Sequence, residues 1–371
     1  MNKISFIKSL RCPAALLLSG VLLLGSSLAL TACSDGSASD SSAPVAAATS
    51  ASDSSASVAA SDASSAAAGA AQSDGASYSA SMADTSSVSS ASGVTVTDMT
   101  GRTVTIDEPV TRIVALTPSD CEILYAIGAG DLIVGRGKYC DYPEEVLDIP
   151  AVASGSDTNL EEIINLDPQV LVMSTMAQTE EQVRMLEDAG IQVVESDAQD
   201  IEGVYTAIKL LGELTGRTDE AQALCGQMQA KFAELSESAA AKADGTVKTV
   251  YFEVTPLEQG LYSAGKGTFM NEIAELLGLK NIFDDTDGWN KVSEEQVIDR
   301  DPDYIVTIGS MNTATGQTPV EEILSRKAWQ NITAVKNGAV LNVPNNEFSR
   351  PAPRLGDAAQ ALYDLVYGSK D

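Results

Sequence analysis

Short apolar runs alternate with amphipathic stretches from about residue 94 onward, and their spacing lays out the fold. Val94 to Ile106 alternates apolar and polar residues about Thr100-Gly101, the pattern of a β-hairpin. Arg112 to Thr117, Leu132 to Val134, Val170 to Ser174 and Ile191 to Glu195 read as short buried strands. Helical periodicity fills the gaps after Ser119, Asn159 and Thr179. Ser119 with Glu122 predicts a capping box on a helix running to Ala129, where Gly128 and Gly130 end it, and Gly190 stops the Thr179 helix. Strands and helices in this alternation predict a mainly parallel sheet covered on both faces.

The rhythm breaks at Ile201. Ile201 to Leu214 and about Thr218 to Ala241 are helical with no strand between them, and the second is rich in Ala, Gln, Glu and Lys. At 1.5 Å per residue such a helix extends over about 30 Å. It can join two lobes rigidly and restrict them to a small closure. Alternation resumes with Lys248 to Val254, a helix from Thr268 to Leu277, another after Ser293, and a strand at Tyr304 to Ile308. Val320 to Ser325, a strand at Ala339 to Val343 and a closing helix from Pro353 to Val366 complete it. The fold expected is α/β, with two Rossmann-like lobes of parallel-rich sheet joined by a long rigid helix and a ligand cleft between them. Their bounds are 94–200 for the first lobe, 201–245 for the connector and 246–371 for the second lobe.

One motif occurs twice. Asn159-Leu-Glu-Glu-Ile-Ile-Asn-Leu-Asp-Pro168 precedes Val-Leu-Val, and Ser293-Glu-Glu-Gln-Val-Ile-Asp-Arg-Asp-Pro302 precedes Tyr-Ile-Val. In each, a cap residue opens a short helix whose second residue is a glutamate, and Asp-Pro ends it before a strand. Glu161 and Glu295 therefore hold equivalent places on two similar lobes. That suits a partner with two-fold symmetry, although an acidic residue in a first turn also complements the helix dipole.

The amino-terminal third changes the meaning of the composition. Lys3, Lys8 and Arg11 precede an apolar run from Ala14 to Leu30 that closes in Leu-Thr-Ala-Cys33. A basic segment, an apolar segment and small residues before a cysteine resemble the lipobox of bacterial lipoproteins, so residues 1–32 are expected to be a signal peptide and Cys33 the lipidated residue. From Ser34 to Gly93 the chain is almost wholly Ser, Ala, Gly and Asp, too poor in apolar surface to offset ordering entropy. Residues 33–93 read as a lipid-anchored flexible tether, which places the folded part outside the cytoplasm at the cell membrane.

The formal charge of −29 argues against nucleic acid as a partner. With Cys12 in the signal and Cys33 lipidated, Cys121, Cys140 and Cys225 remain, an odd set that reads as buried small hydrophobes with a Cys121 to Cys140 bridge left open. The chain has no histidine and no Gly-x-Ser-x-Gly elbow, so serine-hydrolase chemistry lacks its base and its turn, while carboxylate-pair chemistry stays open. Ser263 to Gly267 lacks the spacing of a phosphate loop. A histidine-held haem or zinc site is excluded too, and no cofactor or metal is expected. A surface adhesin, the other class that a long Ser/Ala tether brings to mind, is expected to be built from repeats or β-sandwiches instead.

Arg112-Ile-Val-Ala-Leu-Thr-Pro-Ser119, Ala126-Ile-Gly-Ala-Gly130, Tyr139-Cys-Asp-Tyr-Pro143, Asn159-Leu-Glu161, Ser263-Ala-Gly-Lys-Gly267 and Ser349-Arg-Pro-Ala-Pro-Arg354 fall in an order and spacing with a precedent. From Arg112 to about Leu365 the sequence resembles the class III solute-binding proteins of ABC importers, a group that includes vitamin B12, ferric-siderophore and haem binders. The resemblance implies that Glu161 and Glu295 dock onto arginines of a dimeric permease that works with its ATPase subunits. It also implies a small-molecule cleft lined by Thr117, Pro118, Ser119, Tyr139, Tyr142, Trp289 and Arg350 or Arg354. The Tyr139 to Pro143 segment is most similar to corrinoid binders, and Trp289, in a loop before the Ser293 helix, offers a face for a planar ligand unless it only covers the second lobe's core. Arg350 and Arg354 would suit an anionic ferric chelate, unless Arg354 is a surface residue opening the last helix.

Overall fold

The structure, a computed structural model, describes residues 93–155, 158–174, 179–309, 316–343 and 345–368. The expected signal peptide, Cys33 and the tether up to residue 92 lie outside the described residues. Strands β1 (Val94–Thr97) and β2 (Thr103–Ile106) form the expected hairpin, turning at Gly101 with φ of 84°. Then follow β3 (Ile113–Ala115), α1 (Pro118–Ala126), β4 (Ile133–Gly137), β5 (Ala151–Val152), α2 (Leu160–Asn165), β6 (Val170–Met173), α3 (Glu180–Asp188) and β7 (Gln192–Glu195). The five strands β3 to β7 make one all-parallel sheet in the order β5-β4-β3-β6-β7. β3 and β6 are buried along their whole length, as strands covered on both faces must be.

Two helices follow, α4 (Ile201–Thr215) and α5 (Thr218–Lys242). The residues that α5 buries are Ala221, Cys225, Met228, Phe232, Leu235 and Ala239, spaced alternately by four and three. That is the seam of a helix packed along its length against other helices. At its start the approach is close, because a Cβ on Gly212 of α4 would sit 2.4 Å from that of Ala221.

The second lobe contains β8 (Thr249–Glu253), β9 (Tyr262–Ala264), α6 (Phe269–Leu276), β10 (Lys280–Asn281), β11 (Trp289–Lys291), α7 (Glu294–Arg300) and β12 (Tyr304–Thr307). α8 (Pro319–Ser325), α9 (Thr333–Lys336), β13 (Val340–Asn342), α10 (Asn345–Phe348) and α11 (Leu355–Tyr367) close it. Its parallel sheet runs β10-β8-β12-β13, with β9 and β11 paired antiparallel beside it. α4 packs on β1 and α1 of the first lobe, while α5 packs on α4, α6 and α11. One continuous core runs from Val96 and Ile113 through Ile208, Met228 and Phe232 to Phe252 and Leu362. Apolar packing thus binds both lobes to the helical pair.

The duplicated motif folds alike in both lobes. The Asn159 side chain accepts from the backbone N–H groups of Glu161 and Glu162, and Ser293 shares a capping box with Gln296. Asp167 and Asp301, with φ of 47° and 40°, are the only non-glycine residues at positive φ among the described residues. Each precedes a proline, which denies it the right-handed helical region and ends the helix in one step. Asp301 is held there by the Thr333 N–H and hydroxyl, and the Asp167 carbonyl accepts from the Arg112 guanidinium.

Two local expectations are corrected. α1 starts at Pro118 with Thr117 as its cap residue, so Ser119 caps nothing and no Ser119–Glu122 box forms. Proline at the first helical position sets the start, and Glu122 is drawn away by arginines from the far end of the chain. Trp289 lies in the short strand β11, where it pairs with Ala264, rather than in a loop.

Candidate ligand-binding cleft

The cleft forms where both parallel sheets end. Thr117 follows β3, Ser174 follows β6, Ser196 to Gln199 follow β7, Val254 follows β8 and Ile308 follows β12, and all line one cavity of about 450 Å³. Carboxyl ends of parallel strands are where open α/β sheets bind ligands, because the backbone there stops pairing and splays outward. A second cavity of about 690 Å³ continues outward past Lys138, Tyr139, Asp141, Asn346 and Arg350, sharing Ser119, Ser174, Ser349 and Pro351 with the first. The inner part is a ring of hydroxyls over apolar groups, closed on the second-lobe side by Phe269, Met270 and Trp289. Trp289 is 37 % exposed; its ring meets Phe269 edge-on at 5.5 Å, and its indole N–H donates to Gln199 Oε1 at 3.1 Å.

The cleft's arginines are already engaged. Glu122 on α1, 3 % exposed, accepts from Arg350 Nη1 at 3.0 Å and from Arg354 Nε and Nη2 at 2.9 and 2.6 Å. Arg350 also donates to Asp141 at 2.7 Å and to the Tyr139 carbonyl at 3.1 Å, while Arg354 stacks on the Tyr142 ring at 3.9 Å. Burial pushes the Asp141 carboxyl up, but the hydrogen bond and charge of Arg350 prevail and hold it below its usual range. This cluster fastens the segment after β4 to the carboxy-terminal helices and balances its own charge. Lys138, whose ammonium sits 4.9 Å over the Tyr139 ring, adds a cation to the outer cavity.

Beneath the inner cavity lies Asp120, 1 % exposed. It accepts a short hydrogen bond from the Thr117 hydroxyl, and its Oδ1 has no partner among the described residues. Burial pushes its carboxyl up to about 6; the Thr117 and Ser196 hydroxyls pull the other way, and neighbouring Asp197 adds to the rise. A carboxyl raised from 3.8 to about 6 by folding stabilises the native state fully below pH 3.8, and that contribution is lost as pH rises through about 6. The difference is about 3 kcal/mol. Urea unfolding of Asp120→Asn and of the unsubstituted chain should therefore diverge in the variant's favour by up to about 3 kcal/mol as pH is raised from about 4 to about 7. A stability difference that stays constant over that range would refute the assignment.

Of the residues singled out from sequence, Thr117, Ser119 and Trp289 line the inner cavity, and Pro118, Ser119, Tyr139 and Arg350 the outer one. Tyr142 and Arg354 line neither and stack on each other behind the wall. Ser196 to Gln199, Phe269 and Met270 were not anticipated, although the position of Ser-Asp-Ala-Gln directly after a parallel strand was a usable signal. Away from the cleft, Glu161 and Glu295 are both exposed in the first turns of α2 and α7. Their neighbours differ: Glu162 accepts from the Ala153 N–H at 3.3 Å, and Glu294 is half-buried. The Glu295 carboxyl is held below its usual range by its own backbone N–H and the Ser293 side chain.

Comparison with known proteins agrees with this architecture. The profile described as "Periplasmic binding protein" matches residues 113–347. The chain belongs to the periplasmic binding protein family. The "Uncharacterized ABC transporter substrate-binding lipoprotein YvrC" of Bacillus subtilis (strain 168) is 33% identical over 277 residues, covering 74% of this chain and 85% of that protein. The vitamin B12-binding protein of Salmonella paratyphi A is 31% identical over 257 residues, 69% of this chain and 90% of that one. Among solved structures, a possible iron-binding (periplasmic solute-binding) protein from Staphylococcus epidermidis ATCC 12228 superposes with a TM-score of 0.60 at 32% identity, covering 70% of this chain and all of that one. Solute binding for ABC import is the function this membership carries, and the relatives are named as binding proteins rather than enzymes.

Proposed function

We propose that the cleft captures a corrinoid and that the protein, anchored through lipid on Cys33, presents it to an ABC permease dimer by Glu161 and Glu295. The observation that carries the ligand class is the neutralisation of Arg350 and Arg354 by Glu122 and Asp141. With those guanidinium groups engaged, the inner cavity offers hydroxyls, one carboxylate at Asp197 and an aromatic wall. Thr117 donates its proton to Asp120 and so turns oxygen lone pairs toward the cavity. Such a lining suits an uncharged macrocycle fringed with carboxamides better than haem propionates or a polyanionic chelate. A ferric chelate is the second reading, favoured by Lys138 in the outer cavity and by the described iron-binding relative. Catalysis is not proposed, because the relatives are named as binding proteins.

Visible absorbance and mass spectrometry of protein purified without denaturant separate the two readings, since corrinoids and ferric chelates differ in both. Titration with cyanocobalamin tests the site itself. Trp289→Ala should weaken binding by about tenfold, the scale of one aromatic stacking contact with its buried area. Equal affinity of this variant and the unsubstituted chain would remove Trp289 from the site. Failure of the unsubstituted chain to bind cyanocobalamin would remove the corrinoid.

A further inference from the structure

Two thiols that the solute-binding role does not use meet behind the cleft wall. Cys121 on α1 and Cys140 after β4 are both fully buried, and their sulfurs lie 3.7 and 3.8 Å from one acceptor, the Ala115 carbonyl at the end of β3. The neighbouring Cys140 and burial push the Cys121 thiol well up. Cys225 differs: it is buried on α5, with its sulfur 3.9 Å from the Tyr205 carbonyl.

We infer that Cys121 and Cys140 form a reversible dithiol–disulfide site that locks the outer wall of the cleft. Residues 138–142 supply Lys138, Tyr139 and Asp141 to that wall, and Cys140 is the one side chain in the stretch that points inward. Tyr139 and Tyr142 on either side are 62 % and 45 % exposed. The segment's ties to the rest of the chain include hydrogen bonds from Arg136 and Arg350 to the Cys140 and Tyr139 carbonyls. When this short segment lifts, Cys140 is exposed while Cys121 remains in the helix.

Cys140, as thiolate, then attacks an external disulfide, breaking its S–S bond and releasing one of its halves as a thiol. Cys121, losing its proton, attacks the mixed disulfide at the Cys140 sulfur, forms the Cys121–Cys140 bond and releases the second half as a thiol. Two cysteine thiols are oxidised by two electrons, and the external disulfide is reduced by the same two. Cys140 is the entry thiol, and Cys121 resolves it.

The test is exposure of the reduced, folded full chain to oxidised glutathione, followed by acid quench, alkylation in denaturant and peptide mapping. The expected product is a linked Cys121–Cys140 peptide pair lighter by two hydrogens, with Cys225 recovered alkylated. Cys121→Ser should arrest at a glutathione adduct on Cys140, and Cys140→Ser should leave Cys121 unmodified, which distinguishes the entry thiol from the resolving one. The linked form should melt several degrees higher than the reduced form, and dithiothreitol should return it to the lower value. Recovery of both cysteines as alkylated thiols from the unsubstituted chain, or linkage of either to Cys225, would overturn the inference.

Discussion

A chain carrying Glu161→Ala together with Glu295→Ala is expected to bind its ligand with unchanged affinity and to support no uptake. Both glutamates stand exposed in the first turn of equivalent helices, ended by equivalent strained Asp-Pro steps, so the two carboxylates occupy matched places on the two lobes. A two-fold symmetric partner can engage both at once, and losing both removes the charged contacts that fix its register. Neither residue lines the cleft, so affinity has no reason to change. Each single substitution should leave partial transport, because one contact persists. The neighbours serve as controls: Glu162→Ala and Glu294→Ala remove equal charge from the same helix ends and should leave uptake near normal. Labelled-ligand uptake in cells, paired with a binding titration on purified protein, reads both quantities. Loss of affinity in the double variant, or equal loss of uptake in the controls, would refute the docking role and leave the glutamates as helix-terminus charges.

What the sequence disclosed follows from the range of the interactions involved. Local patterns were legible: the long helix α5, the Asn159 and Ser293 caps and the hairpin at Gly101 each depend on residues within one or two turns. The start of α1 was misplaced by two residues in a run of Thr-Pro-Ser, where hydroxyl caps compete and the proline decides. Glu122 could not be read locally at all, since its partners lie 228 and 232 residues away. The three residues of β11 are too few to show an alternation, and their pairing is with an equally short β9. Half of the inner cavity was recoverable in principle. Residues directly after parallel strands mark the ligand side of such a sheet whatever their identity, and Ser174, Ser196 and Val254 needed no motif to be found.

Glu122→Ala should destabilise the fold by about 3 to 5 kcal/mol, the range for removing one partner of a buried ion pair. Both arginines it serves are largely shielded, with side chains 11% and 14% exposed. The loss falls unequally. Arg350 keeps Asp141 and the Tyr139 carbonyl, whereas Arg354 keeps the Asn346 carbonyl at 3.4 Å, Glu347 at 3.9 Å and the face of Tyr142. The cost therefore arises mainly from a guanidinium left in a poorly hydrated place, and removing that charge as well should recover much of it. Urea unfolding of Glu122→Leu, Arg354→Met and the double variant forms the cycle that decides this. Coupling requires the double variant to be more stable than the sum of the single losses predicts. Additive losses would mean that Glu122 contributes through packing alone, and that the segment after β4 is tied to the last helix by something other than charge. If coupling holds, the same contacts explain why the cleft's arginines are withheld from an anionic ligand: they are held by the carboxylate that joins the two ends of the fold.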